Sequence, residues 1–371
     1  MSEAEKEKPF LLTGTGSQAI APGLHLLHGQ GQSFVAETDV GVVVIDAGPG
    51  GKVTQAMIES LRQISQAPVH ALVYSHGHIG YNAGVPQWLE HAQQRGDAPP
   101  RVIAQRNVLR RYARYRETEP LQYRMAEMQF NRPPGFFAGK LGMHAPSETF
   151  DDRLVIGNGD QRVELLWAPS ETDDAIALWA PAQRVLYGGP SLLDSIPNIG
   201  TPFRTLRDTV RWAGTLERLA ALRPLQAVRE FGHVIEGEGE VQRVLLQTAR
   251  ALRWLRAEVV RWMNEGLNEQ QVLARMHYPA ELFDVPWMKP TYGDPSYIVR
   301  DIYRSENGWW DRNPTTLHPE APEVVGAAIA NAITDKAGVI ASAQALADAG
   351  RWQLALHVID LLATASGDAP E

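Results

Sequence analysis

Residues 40–78, VGVVVIDAGPGGKVTQAMIESLRQISQAPVHALVYSHGH, constrain the fold more than any other part of the chain. Val42 to Ile45 is an unbroken β-branched run, as in a strand covered on both faces, and it stops at Asp46 and a glycine-rich turn. Val53, Ala56, Met57, Leu61 and Ile64 recur at helical spacing and predict a helix over about 52–66. Ala71 to Tyr74 form a second apolar run. Strand, helix, strand, with polar residues gathered just past the strand ends, is how α/β folds build sites. The second run ends in His76 and His78, two imidazoles one residue apart on a loop, which can both point at one metal ion.

Composition limits what can join them. The 371 residues suffice for one large domain and a smaller one, or two of ordinary size. There are no cysteines, so disulfides, thiolate zinc sites and cysteine nucleophiles are all excluded, and a metal must be held by His, Asp or Glu. The 43 acidic against 35 basic residues give a formal charge of −8, which argues against a nucleic-acid partner and leaves a small-molecule substrate as the expectation. No stretch approaches the roughly 20 apolar residues of a membrane span. The opening MSEAEKEKPF does not read as a secretory signal, so a cytoplasmic location is expected.

Residues 104–150, with five arginines between Arg106 and Arg116, read as a helical excursion and loop that could cover a site. Strands resume in VELLWA, AIALWA and RVLYGG, and QAVREFGHV adds one more. From 239 onward the pattern is helical: a long amphipathic helix to Gly266, a Pro-, Gly- and Trp-rich stretch at 286–321, and an alanine-rich pair at about 322–347 and 350–365. The expected division is 1–238 and 239–371.

With these pieces located, the chain resembles the metallo-β-lactamase superfamily, and within it the alkylsulfatase-like branch. His76 and His78 match the first two ligands of its H-x-H-x-D-H loop. WAPSETDDAI resembles the branch's G-E-T-D-D-H segment, which makes Glu171 the counterpart of the third ligand of the first metal. EFGHVIEG resembles the late G-H-G loop, with His233 as its histidine, and YGDPSYIVRDIYRSENGWWDRNP is similar to the segment marking the alkylsulfatase dimerisation domain. The resemblance implies an α/β protein, an αββα sandwich, followed by an all-α dimerisation domain, and hence a homodimer. The chain ends about where the sterol-carrier-like domain of the long alkylsulfatases would begin.

The departures fall on one side of the site. Gly80 and Tyr81 stand where the family has the Asp and His ligands of a second metal, Pro190 where it has the bridging carboxylate, and Ala175 where a histidine follows E-T-D-D. His76, His78 and Glu171 survive. Two imidazoles and a carboxylate suit a catalytic Zn²⁺ with an open position, and equally the 2-His-1-carboxylate set of non-haem Fe(II) oxygenases.

The expected function is therefore a metal-dependent hydrolase with one divalent ion per chain, Zn²⁺ before Fe²⁺, acting on an ester or sulfate ester of small to medium size. Its alternatives are a mononuclear Fe(II) oxygenase or lyase and a non-catalytic binding protein. His233 is expected as a further ligand or acid–base group, and Tyr81 as a donor to an oxyanion. Arg204 and Arg207 are expected to bind an anion, with a surface salt bridge as the bland alternative. Asp46 is expected to cap the AGPGG turn, His25 and His28 to be strand or turn histidines, and Asp173 and Asp174 to be solvated or to orient the ligands. Trp309 and Trp310 are expected to pack at a domain or dimer contact.

Overall fold

The computed structural model describes residues 13–139 and 142–363. Packing divides the chain into two compact units, 1–306 and 307–371.

In the first unit, β1 (Ser17–Ala21), β2 (Leu24–Gly29), β3 (Gly31–Thr38) and β4 (Gly41–Ile45) pair antiparallel in sequence order. Helix α1 (Gly51–Ile64) returns the chain to β5 (Val69–Val73), parallel to β4, and α2 (Val85–Arg95) returns it to β6 (Arg101–Gln105), parallel to β5. The excursion follows as α3 (Asn107–Glu117) and α4 (Glu119–Gln129), before β7 (Glu148–Phe150) closes a seven-stranded sheet. The second sheet runs from β8 (Arg153–Ile156) through β9 (Val163–Trp167), β10 (Ile176–Ala180), β11 (Val185–Gly189) and β12 (Gln226–Arg229) to β13 (Ile235–Glu236). Helix α5 (Thr209–Ala221) makes the crossover between the parallel strands β11 and β12.

Strand β4 shows why the β-branched run was needed. Side chains alternate across a strand. Val43 and Ile45 point into a core shared with Leu165, Ile176 and Leu178 of the second sheet, while Val42 and Val44 pack under α1 against Ile58 and Leu61. Each such side chain, once fully buried, contributes roughly 1.5–3 kcal/mol. The outer face of the second sheet is covered in turn by α5 and by α6 (Glu238–Asn264), whose Val241, Leu245, Leu252 and Leu255 share a core with Trp212 and Leu216. Helix, sheet, sheet, helix is the observed layering.

The change at residue 238 is thus one from sheet to helix, not a break between compact units, because α6 buries its apolar stripe in the core of the first unit. That unit continues through α7 (Glu269–Arg275), α8 (Ala280–Phe283) and α9 (Pro295–Asn307), which ends at its edge. The second unit holds α10 (Pro314–Leu317), α11 (Pro322–Ala332), α12 (Lys336–Asp348) and α13 (Trp352–Ala363). The single helix expected over 322–347 is broken: Asp335 caps α12 by accepting the Gly338 amide at 2.8 Å, and α11 and α12 meet at 102°. Residues 364–365, expected at the end of the last helix, lie outside the described residues. Among the described residues no single helix is long and apolar enough to cross a membrane.

Candidate metal centre

The loop after β5 is held from both sheets. Asp46, at the end of β4, accepts the Ser75 amide and the Asn82 side-chain amide, each at 2.9 Å. It therefore does not cap the AGPGG turn; its carboxylate instead ties the ends of β4 and β5 together. Burial pushes this carboxyl up to about 6, against the hydrogen bonds from Ser75 and Asn82. The Ser75 carbonyl accepts the Ile176 amide of β10 at 2.8 Å. Between the two histidines, the Gly77 amide donates to Asp174 Oδ2 at 2.7 Å. A Cβ on Gly77 would lie 2.6 Å from that oxygen and 2.8 Å from both Arg111 Cδ and Val108 Cγ2, so only glycine fits. Asp174 is buried and also takes the Arg111 Nε hydrogen bond at 2.8 Å; Arg111 reaches Asp173 at 2.8 Å as well. Of the two readings of Asp173 and Asp174, it is the orienting one that the geometry matches, acting through the loop backbone and Arg111.

The loop so held turns both imidazoles inward. Ser75 Oγ lies 2.8 Å from His76 Nδ1, which leaves Nε2 facing His78 Nδ1 at 2.8 Å. Burial drives the His76 imidazole down to about 4, opposed by nearby Glu171. Burial, then His76 and the guanidinium groups of Arg111 and Arg207, drive His78 well below its ordinary value. Both rings are neutral near pH 7, the form that ligates a metal.

Glu171 comes from the loop between β9 and β10. Its Oε1 lies 3.9 Å from His78 Nδ1 and accepts from Asn198 Nδ2 at 3.0 Å and Arg207 Nη1 at 3.2 Å. The three donor atoms of His76, His78 and Glu171 lie within 4.8 Å of one another. Two neutral imidazoles and one carboxylate, oriented by Ser75, Asp174, Asn198 and Arg207, fit a divalent cation. The positions beside them do not supply a second set. Gly80 and Pro190 carry no donor, and a Cβ on Gly80, at φ +95°, would lie 2.5 Å from Gln30 Nε2. The Tyr81 hydroxyl is already committed, donating to Glu230 Oε1.

Arg207 lines the cavity beside Glu171. It is buried, bonded to Glu171 and to the Asn198 carbonyl, and its amide reaches the Asp301 carboxyl at 3.2 Å. Arg204 lines the cavity, bonded to Gln129 of α4. That cavity, about 2180 Å³, contains His78, Glu171, Tyr81 and Glu230 in its wall, with the excursion helices on another side.

His233, expected as ligand or acid–base group, is exposed and is not among the residues lining the cavity. Gln32 donates its amide to the Glu230 carbonyl at 2.9 Å, and the chain turns at Gly232, φ +97°, carrying the histidine out. The residue brought inward from this segment is Glu230, which the sequence reading missed. A lone carboxylate closing the strand QAVR was its only signal. His25 and His28 lie on β2, as strand histidines. In the second unit, Trp309 is largely exposed and Trp310 donates to the Asn313 carbonyl at 3.1 Å.

Residues 27–233 match the metallo-beta-lactamase superfamily. The chain belongs to that superfamily. Residues 268–371 match the alkyl sulfatase dimerisation family, so the alkylsulfatase-like branch is the one concerned. A linear primary-alkylsulfatase from Pseudomonas sp. is 28% identical over 308 residues, covering 77% of this chain and 57% of that protein. An (R)-specific secondary-alkylsulfatase from Pseudomonas sp. is 25% identical over 357 residues, covering 88% and 53%. The chain spans about half the length of these curated relatives. Among solved structures, a stereoselective inverting sec-alkylsulfatase from Pseudomonas sp. superposes with a TM-score of 0.81 at 21% identity, covering 94% of this chain and 59% of that one. The metallo-β-lactamase frame accounts for the sheet order and for ligands placed past the strand ends.

Proposed function

We propose that the chain is a metal-dependent hydrolase that cleaves a sulfate ester, or another small to medium ester, with one divalent ion, zinc before iron. The observation that carries this reading is the convergence of His76, His78 and Glu171 beside a cavity whose wall includes His78, Glu171 and Arg204. The similarity to two alkylsulfatases supports sulfate as the anionic group. A bound cation would lower the pKa of a water and polarise the ester oxygen.

The chain's own residues divide the remaining work. Asp174 and Ser75 fix the imidazoles, and Arg207 with Asn198 fixes the Glu171 carboxylate. Arg204 offers a guanidinium to an anionic head. Leu121, Met125, Phe136 and Phe137 line the same cavity and offer an alkyl chain an apolar surface. The match to the dimerisation family supports a homodimer.

Elemental analysis of protein purified without a metal-affinity tag, together with turnover of a panel of alkyl sulfates, tests this. One zinc per chain and hydrolysis of at least one sulfate ester are expected. Two ions per chain, iron in place of zinc, or no turnover of any ester by zinc-loaded protein would overturn it.

A further inference from the structure

The border of the cavity combines apolar and cationic side chains, and both are turned outward. Leu121, Phe136, Phe203 and Leu206 line the cavity yet are between 40% and 56% exposed, so they edge its opening and not its floor. Two segments supply them: α4 with the turn that follows it, and the loop 201–208. The bond from Arg204 to Gln129 brings the second segment against the end of the first. Phe203 takes φ +67°, a left-handed backbone that a bulky side chain rarely adopts. Folding alone gives no reason for strain that holds an aromatic ring in solvent; such strain points to a function. Single exposed leucines are ordinary, but apolar groups gathered around one opening mark a contact surface. The same border is basic. Residues 106–132 hold seven arginines against three glutamates, in a chain whose formal charge is −8. Arg110 and Arg111 are held by Asp173 and Asp174, whereas Arg114 and Arg132 lie over the Tyr115 and Phe136 rings, 5.1 and 5.4 Å from the centroids. Arg132 is exposed and lines the cavity as well.

We propose that this border is a docking surface for an anionic lipid bilayer, on which the chain rests peripherally with the cavity open toward the lipid. Leu121, Phe136, Phe203 and Leu206 enter the boundary between headgroups and acyl chains, and Arg132 meets the headgroup phosphates. A neutral apolar partner would leave the arginines without a counter-charge, and a soluble polyanion would leave the four apolar side chains in water; an anionic bilayer takes both. The acidic remainder of the chain is repelled by the same surface, which leaves this end as the one that approaches. An amphiphile dissolved in the bilayer then reaches the cavity without crossing water. The inference concerns where the chain binds, and it holds whichever ester is cleaved.

Co-sedimentation of the full chain with vesicles of phosphatidylglycerol and phosphatidylcholine in equal parts, and with vesicles of phosphatidylcholine alone, tests this without any substrate. Partition onto the anionic vesicles should be at least ~10-fold the greater and should fall as salt is raised. Arg132→Gln should weaken it by about 5-fold, the effect of one arginine near a charged bilayer. Phe203→Asn combined with Leu206→Ser should weaken it by roughly 10-fold. Asparagine tolerates the left-handed backbone, so the loop keeps its course, and an unchanged melting temperature shows that the variant is folded. No partition onto anionic vesicles at low salt, or equal partition onto neutral ones, overturns the proposal. So does undiminished binding by the folded Phe203 and Leu206 variant, which would place the contact on another part of the chain.

Discussion

Asp174 accepts the Gly77 amide at 2.7 Å, so a carboxylate on a loop of the second sheet sets the spacing of the two imidazoles on a loop of the first. Asp174→Ala should weaken zinc binding by about 10–100-fold, the usual cost of losing a group that orients the ligands. It also leaves Arg111 in the interior with Asp173 as its remaining carboxylate partner, so stability should fall by about 3 kcal/mol, the lower end for breaking a buried pair. Competition with a chelating dye and urea melts measure the two effects separately.

Removing the carboxylate of Glu171 should release the metal outright. Glu171→Gln keeps an oxygen for Asn198 and Arg207 but loses the anionic donor, so zinc content and hydrolysis should disappear together while the far-ultraviolet circular dichroism is retained. Full zinc occupancy in this variant would remove Glu171 from the ligand set.

Arg204 and Arg207 should separate kinetically. Arg204 contacts Gln129 on the excursion and does not touch the three donors, so Arg204→Ala should raise KM for an alkyl sulfate by roughly 10-fold, near the 1.5–3 kcal/mol of a hydrogen bond to a charged group. Its zinc content should be that of the wild type. Arg207→Ala should instead lower zinc affinity, because it frees the Glu171 carboxylate.

Stability should carry the signature of Asp46. Its carboxyl is raised from 3.8 to about 6 in the fold, so the folded state holds this proton more tightly than the unfolded chain. The stabilisation is complete below about pH 4 and is lost as pH rises through 6, a change of at most ~3 kcal/mol. Asp46→Asn retains an acceptor for Ser75 and Asn82 but does not titrate. Wild-type stability relative to this variant should therefore fall between pH 4 and 6 and stay level above. Asp301, also raised to about 6 by burial, contributes equally to both proteins and cancels in the difference.

The second unit leaves Val324, Ile329, Ile340, Leu356 and Leu361 exposed, and among its described residues the buried helical hydrophobics are Ala330, Ala343 and Ala355. Two-fold association is the commonest way to cover such surfaces. Light scattering at micromolar concentration should give twice the 41.0 kDa of one chain, and replacing Ile340 and Leu356 with charged residues should shift the mass toward a single chain.

The layering was legible because period and length declare it: Val42 to Ile45 needs cover on both faces, and Val53 to Ile64 is a helix by spacing. His76, His78 and Glu171 were legible through motif order. What escaped depends on backbone direction and on contacts distant in sequence. Nothing in EFGHV says that Gly232 turns the chain, so the histidine looked functional and Glu230 did not. The bonds of Arg207 to Glu171 and the Asn198 carbonyl escaped as well, because they are visible only once the loops are assembled. The boundary near 238 followed a real change of pattern, but a helix whose stripe lies on a sheet belongs to that sheet's unit.

Donors from loops of different sheets meet in this site, His76 and His78 after β5 and Glu171 after β9, so a bound cation is also a cross-link between the two halves of the sandwich. Whatever binds the folded chain and not the unfolded one stabilises it by mass action, by about 2.7 kcal/mol at a free concentration 100 times Kd, and so raises its melting temperature. Ranking divalent ions by melting shift at equal free concentration would therefore rank their affinities and name the preferred metal, before any substrate is known.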